Sequence, residues 1–247
     1  MKIIVEKDYE HVCKKAAKLI SSLVMSKPNG VIGLATGSSA LGVYDKLIEL
    51  YNHGFLDFEN VKTFNLDEYV GVGFDNSNSY HHYMYENLFQ YINIKKENTF
   101  IPNGMAKDLL EECKNYEAKI ASFNGIDVQL LGIGSNGHIA FNEPGEKFTL
   151  DTHVEELDKS TIEDNSRMFE DETQVPRKSI TMGIGSIMKA KKIVVVIRGK
   201  NKAKALSQLL YGEVTPDIPA SILKLHDDVT VIFDEQINAL LEKENCL

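Results

Sequence analysis

Short apolar runs alternating with stretches of helical period constrain this chain more than any other feature. Runs of strand length fall at residues 3–5, 31–35, 61–66, 126–133, 193–197 and 229–233. Between them, Val12, Ala16, Leu19 and Leu23 share one helical face, as do Leu41, Tyr44, Leu47, Ile48 and Tyr51. Further helices are expected over 80–92, 109–123, 186–190, 201–210 and 235–241, because apolar residues recurring every three to four positions form one stripe on a helix. Strand and helix in alternation predict an α/β fold, with a mostly parallel sheet covered on both faces. In such sheets the ligand site lies outside the carboxyl ends of the strands.

That rule turns scattered motifs into one expectation. The strand at 31–35 ends in Thr36-Gly37-Ser38-Ser39, and the strand at 61–66 ends in Asp67-Glu68. The run 126–133 leads into a loop with three glycines, Gly132, Gly134 and Gly137, together with Asn136, His138 and Glu143. The strand at 193–197 is followed by residues 198–202, which include Arg198, Lys200 and Lys202. Four loops are thus expected to converge on one edge of the sheet. The stretch 149–178 loses its periodicity and is expected to be an irregular or mobile excursion, acting as a lid.

Each cluster has a chemical and a plainer reading. The three glycines satisfy a dinucleotide fingerprint, but Pro144 follows too soon for the loop to open a helix, and the fingerprint requires one. The glycines are better suited to letting a substrate approach the backbone. Thr36 to Ser39 can cap a helix, and such a helix start also offers N–H groups and a positive dipole end to a phosphate. Lys200, Lys202 and Lys204 sit where positive charge opposes the helix dipole, a conflict that a bound anion removes. Asp67, His138 and Glu143 supply two carboxylates and an imidazole for proton transfer, with Asn136 placed to orient the imidazole. His81, His82 and Glu86 invite a metal reading, but adjacent histidines point to different sides of a helix and no third ligand has suitable spacing. Cys13, Cys113 and Cys246 lack both metal and disulfide spacing, and Met25, Met168, Met182 and Met188 are assigned to packing.

A net charge of -9 argues against nucleic acid or an anionic membrane as a partner. No apolar run is long enough to span a bilayer, and the start of the chain is charged almost at once, so a cytoplasmic location is expected.

Four segments carry a resemblance to a known family: GLATGSSALGVYDKL at 33–47, FNLDEYVG at 64–71, LLGIGSNGHIAFNEPG at 130–145, and GKNKAKAL from Gly199, with Asn165-Ser166-Arg167 between the last two. In these the chain resembles the glucosamine-6-phosphate deaminases, also called isomerases, over nearly its whole length. The resemblance implies a three-layer α/β/α sandwich of modified Rossmann type as one domain over 1–247. It implies conversion of glucosamine 6-phosphate and water to fructose 6-phosphate and ammonia, without metal, nucleotide or other cofactor. Asp67 matches the base that moves a proton between C2 and C1 of the opened sugar, and His138, supported by Glu143, matches the ring-opening acid and base. The phosphate falls to Thr36, Gly37, Ser38, Ser39, Arg167 and Lys202.

Two departures stand out. Asn136 occupies a place where many members carry an aspartate, giving the histidine a neutral partner. The segment after Asn-Glu-Pro, where allosteric members place basic residues, carries Glu146, Glu155 and Glu156 here, so a short, non-allosteric, monomeric member is expected. A 6-phosphogluconolactonase-like hydrolase and a sugar-phosphate sensor domain are the alternative readings.

Overall fold

The computed structural model describes residues 1–166, 169 and 174–244. Arg167, Met168 and Cys246 lie outside the described residues.

A seven-stranded sheet forms the centre. Its strands are β1 (Lys2–Glu6), β2 (Val31–Leu34), β3 (Lys62–Asn65), β5 (Thr99–Phe100), β6 (Val128–Leu131), β9 (Ile193–Val196) and β10 (Val229–Asp234), in the order β1-β10-β9-β6-β2-β3-β5. Every pairing in this sheet is parallel. Strands β2, β6 and β9 are buried along their entire length, which explains why they read as continuous apolar runs and not as alternating ones. Helices α1 (Tyr9–Ser26), α2 (Ser38–Asn52), α3 (Tyr80–Asn87), α4 (Leu109–Ser122) and α7 (Ala203–Tyr211) lie in the connections between these strands, and α8 (Glu235–Glu244) follows the last of them, completing the α/β architecture. From β2 the chain builds outward through β3 to β5, then returns to place β6, β9 and β10 on the other side of β2. The reversal point therefore lies between β2 and β6, and a crevice opens there because the connections diverge.

A second, three-stranded antiparallel sheet corrects the sequence reading in two places. Its order is β4-β8-β7, with β4 at Asp67–Tyr69, β7 at His153–Glu156 and β8 at Lys178–Thr181. Asp67 does not end the strand of residues 61–66: that strand stops at Asn65, and Asp67 opens β4, paired with Thr181. The stretch 149–178, expected to be irregular, holds β7 and helix α5 (Lys159–Asn165) among its described residues. These strands are three or four residues long and largely polar, so hydrophobic period could not signal them. The helix expected over 80–92 is α3 followed by a separate 3-10 turn at Phe89–Tyr91, and the one expected at 186–190 is α6 (Ile184–Met188).

Local chemistry sets where the helices start. Asp8, Ser79, Asp108 and Asp158 accept hydrogen bonds from the first-turn N–H groups of α1, α3, α4 and α5, each contributing about 1 kcal/mol. Helix α2 breaks the pattern: its N-cap is Gly37, and no side chain caps it although a threonine and two serines are at hand.

Candidate active site

The four loops expected to converge do so. A cavity of about 470 Å³ lies at the carboxyl edge of the central sheet, lined by Thr36, Gly37, Ser38 and Ser39 after β2, Asp67 after β3, Gly132, Gly134 and His138 after β6, and Arg198, Gly199, Asn201 and Lys202 after β9.

Asp67 is almost completely buried at this edge. Strand alternation sends its carboxyl toward the cavity and that of Glu68 to the opposite face of β4. There the Glu68 carboxylate accepts bonds from the backbone N–H of Tyr69, Tyr80 and His81 and contacts His81 Nδ1 at 2.9 Å, fastening the start of α3. Burial, with a smaller contribution from the neighbouring Glu68 charge, pushes the Asp67 carboxyl up to about 8. A carboxyl of this kind is tuned for proton transfer near neutrality. The histidines considered as metal ligands divide: His81 serves Glu68, and His82 donates its backbone N–H to Ser79.

His138 forms the second reactive group. Its Nδ1 is 3.2 Å from Thr161 Oγ1 and 3.4 Å from Glu143 Oε2, with Glu143 deeply buried. Burial pushes the Glu143 carboxyl up, but contacts from His138, Thr161 and Asn136 outweigh it and hold it below the ordinary glutamate value. Asn136 differs from expectation. It does not bond to the imidazole: its Nδ2 donates to Glu143 Oε2 at 2.9 Å, and its Oδ1 accepts the His138 backbone N–H at 3.1 Å. The amide therefore orients the histidine through the carboxylate and the turn.

The loop glycines serve its own packing. A Cβ on Gly134 would lie 2.3 Å from His138 Cε1, so only glycine lets the ring lie across the loop. Gly137 has φ +92°, a conformation costly to other residues. No helix follows until α5, so the dinucleotide fingerprint lacks its structural context.

The same cavity is lined by residues 37–39 at the uncapped start of α2 and by Lys202. Lys202 Nζ lies 3.4 Å from Asp164 Oδ2, and Ser135 Oγ donates to the same oxygen at 2.7 Å. Lys200 and Lys204, flagged with Lys202 in the sequence, do not line the cavity. Tyr80, Asp164, Asn165 and Asn201, to which the sequence assigned no role, line it as well. Tyr80 stood among residues assigned only to a helix face, and Asp164 and Asn165 sit in a polar stretch with no periodic signal. Arg198 was noted within its cluster but given no role.

Comparison with known proteins gives the chain its relatives. The family model for glucosamine-6-phosphate isomerases/6-phosphogluconolactonase matches residues 6–232. A glucosamine-6-phosphate deaminase of Thermoanaerobacter sp. (strain X514) is 53% identical over 245 residues, covering 99% of this chain and 97% of that protein. One from Clostridium novyi (strain NT) is 55% identical over 235 residues, covering 95% and 98%. Among solved structures, a monomeric glucosamine-6-phosphate deaminase superposes with a TM-score of 0.95 at 46% identity, covering 97% of this chain and 100% of that one. A 6-phosphogluconolactonase from Thermotoga maritima gives 0.74 at 25% identity, covering 94% and 98%. A model match across most of the chain, joined to relatives more than half identical over nearly full length, has one meaning: the chain belongs to the glucosamine-6-phosphate isomerase/6-phosphogluconolactonase family.

Proposed function

We propose that the chain isomerises and deaminates glucosamine 6-phosphate, yielding fructose 6-phosphate and ammonia with uptake of one water. The observation that carries this reading is the buried carboxyl of Asp67 in the same cavity as the His138–Glu143 pair and the uncapped helix start. Curated relatives at 53% and 55% identity bear the corresponding name.

In this reading His138 opens the sugar ring, taking the proton of the anomeric hydroxyl and returning one to the ring oxygen. Glu143 holds the imidazole and balances its charge, and Asn136 holds Glu143. Asp67 then removes the C2 proton of the open aldose to give an enolamine and returns it at C1. The resulting C2 imine adds water and expels ammonia. The substrate's amino group also helps Asp67 ionise, since a positive charge nearby favours the carboxylate. The phosphate rests on Thr36, Gly37, Ser38 and Ser39, with Lys202 and Arg167, and holds the reacting end in register.

The finer features of the reading belong to the same proposal. Residues 1–247 act as one domain, with the stretch 149–178 serving as a lid over the sugar. The enzyme works as a monomer, as its solved relative is described, in the cytoplasm, in the use of N-acetylglucosamine. No described helix is long and apolar enough to cross a membrane.

The test is ammonia release from glucosamine 6-phosphate by wild type and by Asp67→Asn. Loss of a general base lowers kcat by about 10²- to 10⁴-fold, with binding of inorganic phosphate retained. An inactive wild type, or full activity in the variant, rejects the reading. A lactonase has no use for a carbon base at Asp67, so the same assay separates the two.

A further inference from the structure

The phosphate loop is held from behind in an unusual way. Gly37 O accepts the Tyr83 hydroxyl at 2.8 Å. Ser38 O accepts both the Tyr9 hydroxyl at 2.9 Å and Arg198 Nη1 at 3.0 Å. The Tyr9 hydroxyl is shared with Ser39 O at 3.1 Å and in turn accepts the N–H of Gly42 at 3.2 Å. The Arg198 guanidinium lies over the Tyr9 ring, 4.3 Å from its centroid. Three consecutive carbonyls of the loop are therefore tied by side chains from α1, α3 and the end of β9, three elements far apart in sequence.

The peptide unit is planar and trans, so the C=O of one residue and the N–H of the next point in opposite directions. Tying Gly37 O and Ser38 O outward turns the N–H groups of Ser38 and Ser39 the other way, and both residues line the cavity. A carbonyl rotated inward would present its negative end to a phosphate. No side chain caps α2, so these donors act together with the helix's own backbone bonds, such as Ala40 N–H to Gly37 O at 3.2 Å, in fixing the peptides.

We propose that Tyr9 and Tyr83, with Arg198 stacked on Tyr9, are positioning residues that preorganise the start of α2 for the substrate phosphate. This rests on the phosphate assignment above. Neither tyrosine lines the cavity, so their contribution reaches the ligand through the loop. Burial pushes the Tyr9 phenol up to about 12, which keeps it a proton donor across the neutral range.

The experiment is calorimetric titration of inorganic phosphate into wild type, Tyr9→Phe, Tyr83→Phe and the double variant, with kcat and KM for ammonia release measured in parallel. Each hydroxyl removed leaves charge and ring in place, so direct charge attraction is unchanged. Each variant should weaken phosphate binding about three- to tenfold, the effect of one net hydrogen bond, with the rise in KM exceeding any fall in kcat. Unchanged phosphate affinity, even with a lowered Tm, overturns the proposal and leaves the tyrosines a packing role. A loss confined to kcat overturns it too. Phosphate binding that weakens as expected in a protein that releases no ammonia supports the positioning role while rejecting the deaminase reading, so the two failures are distinguishable.

Discussion

Asp67 and Glu68 are adjacent carboxylates with opposite surroundings, and one residue's step along β4 makes the difference. Glu68 collects three backbone N–H groups and a histidine, whereas the Asp67 carboxyl is governed by burial and, to a smaller degree, by its neighbour's charge. Glu143 is a third case, buried but held low by its donors. Replacing Asn136 by alanine removes one of those donors and lets the Glu143 carboxyl rise toward its ordinary value. Glu143 should then protonate at higher pH, so the acid limb of kcat/KM should move to higher pH than in wild type, read from initial rates between pH 4.5 and 8. An unshifted limb would show that Asn136 serves only the turn. At this scale the sequence named Asp67, Asn136, His138 and Glu143, because unusual residue types clustered after strands. It did not show that Asn136 reaches Glu143 and not the ring: an amide two residues from a histidine can bond either, and only the turn's path decides.

Among elements, the reactive groups sit on loops and strand ends that the central sheet brings together. The loop after β6 works only because Gly134 yields its side-chain space to the His138 ring. Gly134→Ala should displace the ring and lower kcat by about 10²-fold or more, the scale at which a misplaced catalytic group costs rate, while phosphate affinity stays within about twofold because the α2 cradle is separate. Equal kinetics in variant and wild type would contradict the placement of the ring. The major strands and helices were legible in the sequence, since each carries a long enough apolar pattern. Strands β4, β5, β7 and β8 were not: they are short, and the β4–β8 pairing joins residues more than a hundred positions apart, such as Asp67 with Thr181. That sheet converts the residue after a strand into the first residue of another.

At the scale of the whole molecule, burying Asp67 is paid for in stability. Burial pushes its carboxyl up to about 8 in the folded state against 3.8 for an aspartate in water, so between these values the folded chain binds more protons than the unfolded one. Stability from this group is therefore greatest below about pH 4 and falls as pH rises toward 8. Asp67→Asn should remove the penalty. In phosphate-free buffer its Tm should exceed that of wild type at pH 9, by about 2–4 °C for each kcal/mol relieved, and the difference should shrink toward zero at pH 4. A variant no more stable at pH 9 than wild type would show that Asp67 is not strained by burial. Such a cost is expected where function opposes stability.

The α/β class, the mostly parallel central sheet and the edge on which the reactive residues meet follow from residue order alone, because hydrophobic period and strand-end chemistry are local properties. It took packing to put Asp67 in a second sheet, to set Asn136 against Glu143, and to bring Tyr9, Tyr83 and Arg198 onto the carbonyls of the phosphate loop. Those relations join residues distant along the chain. They depend on which side of a strand, turn or peptide plane faces the cavity, a choice made when the elements pack.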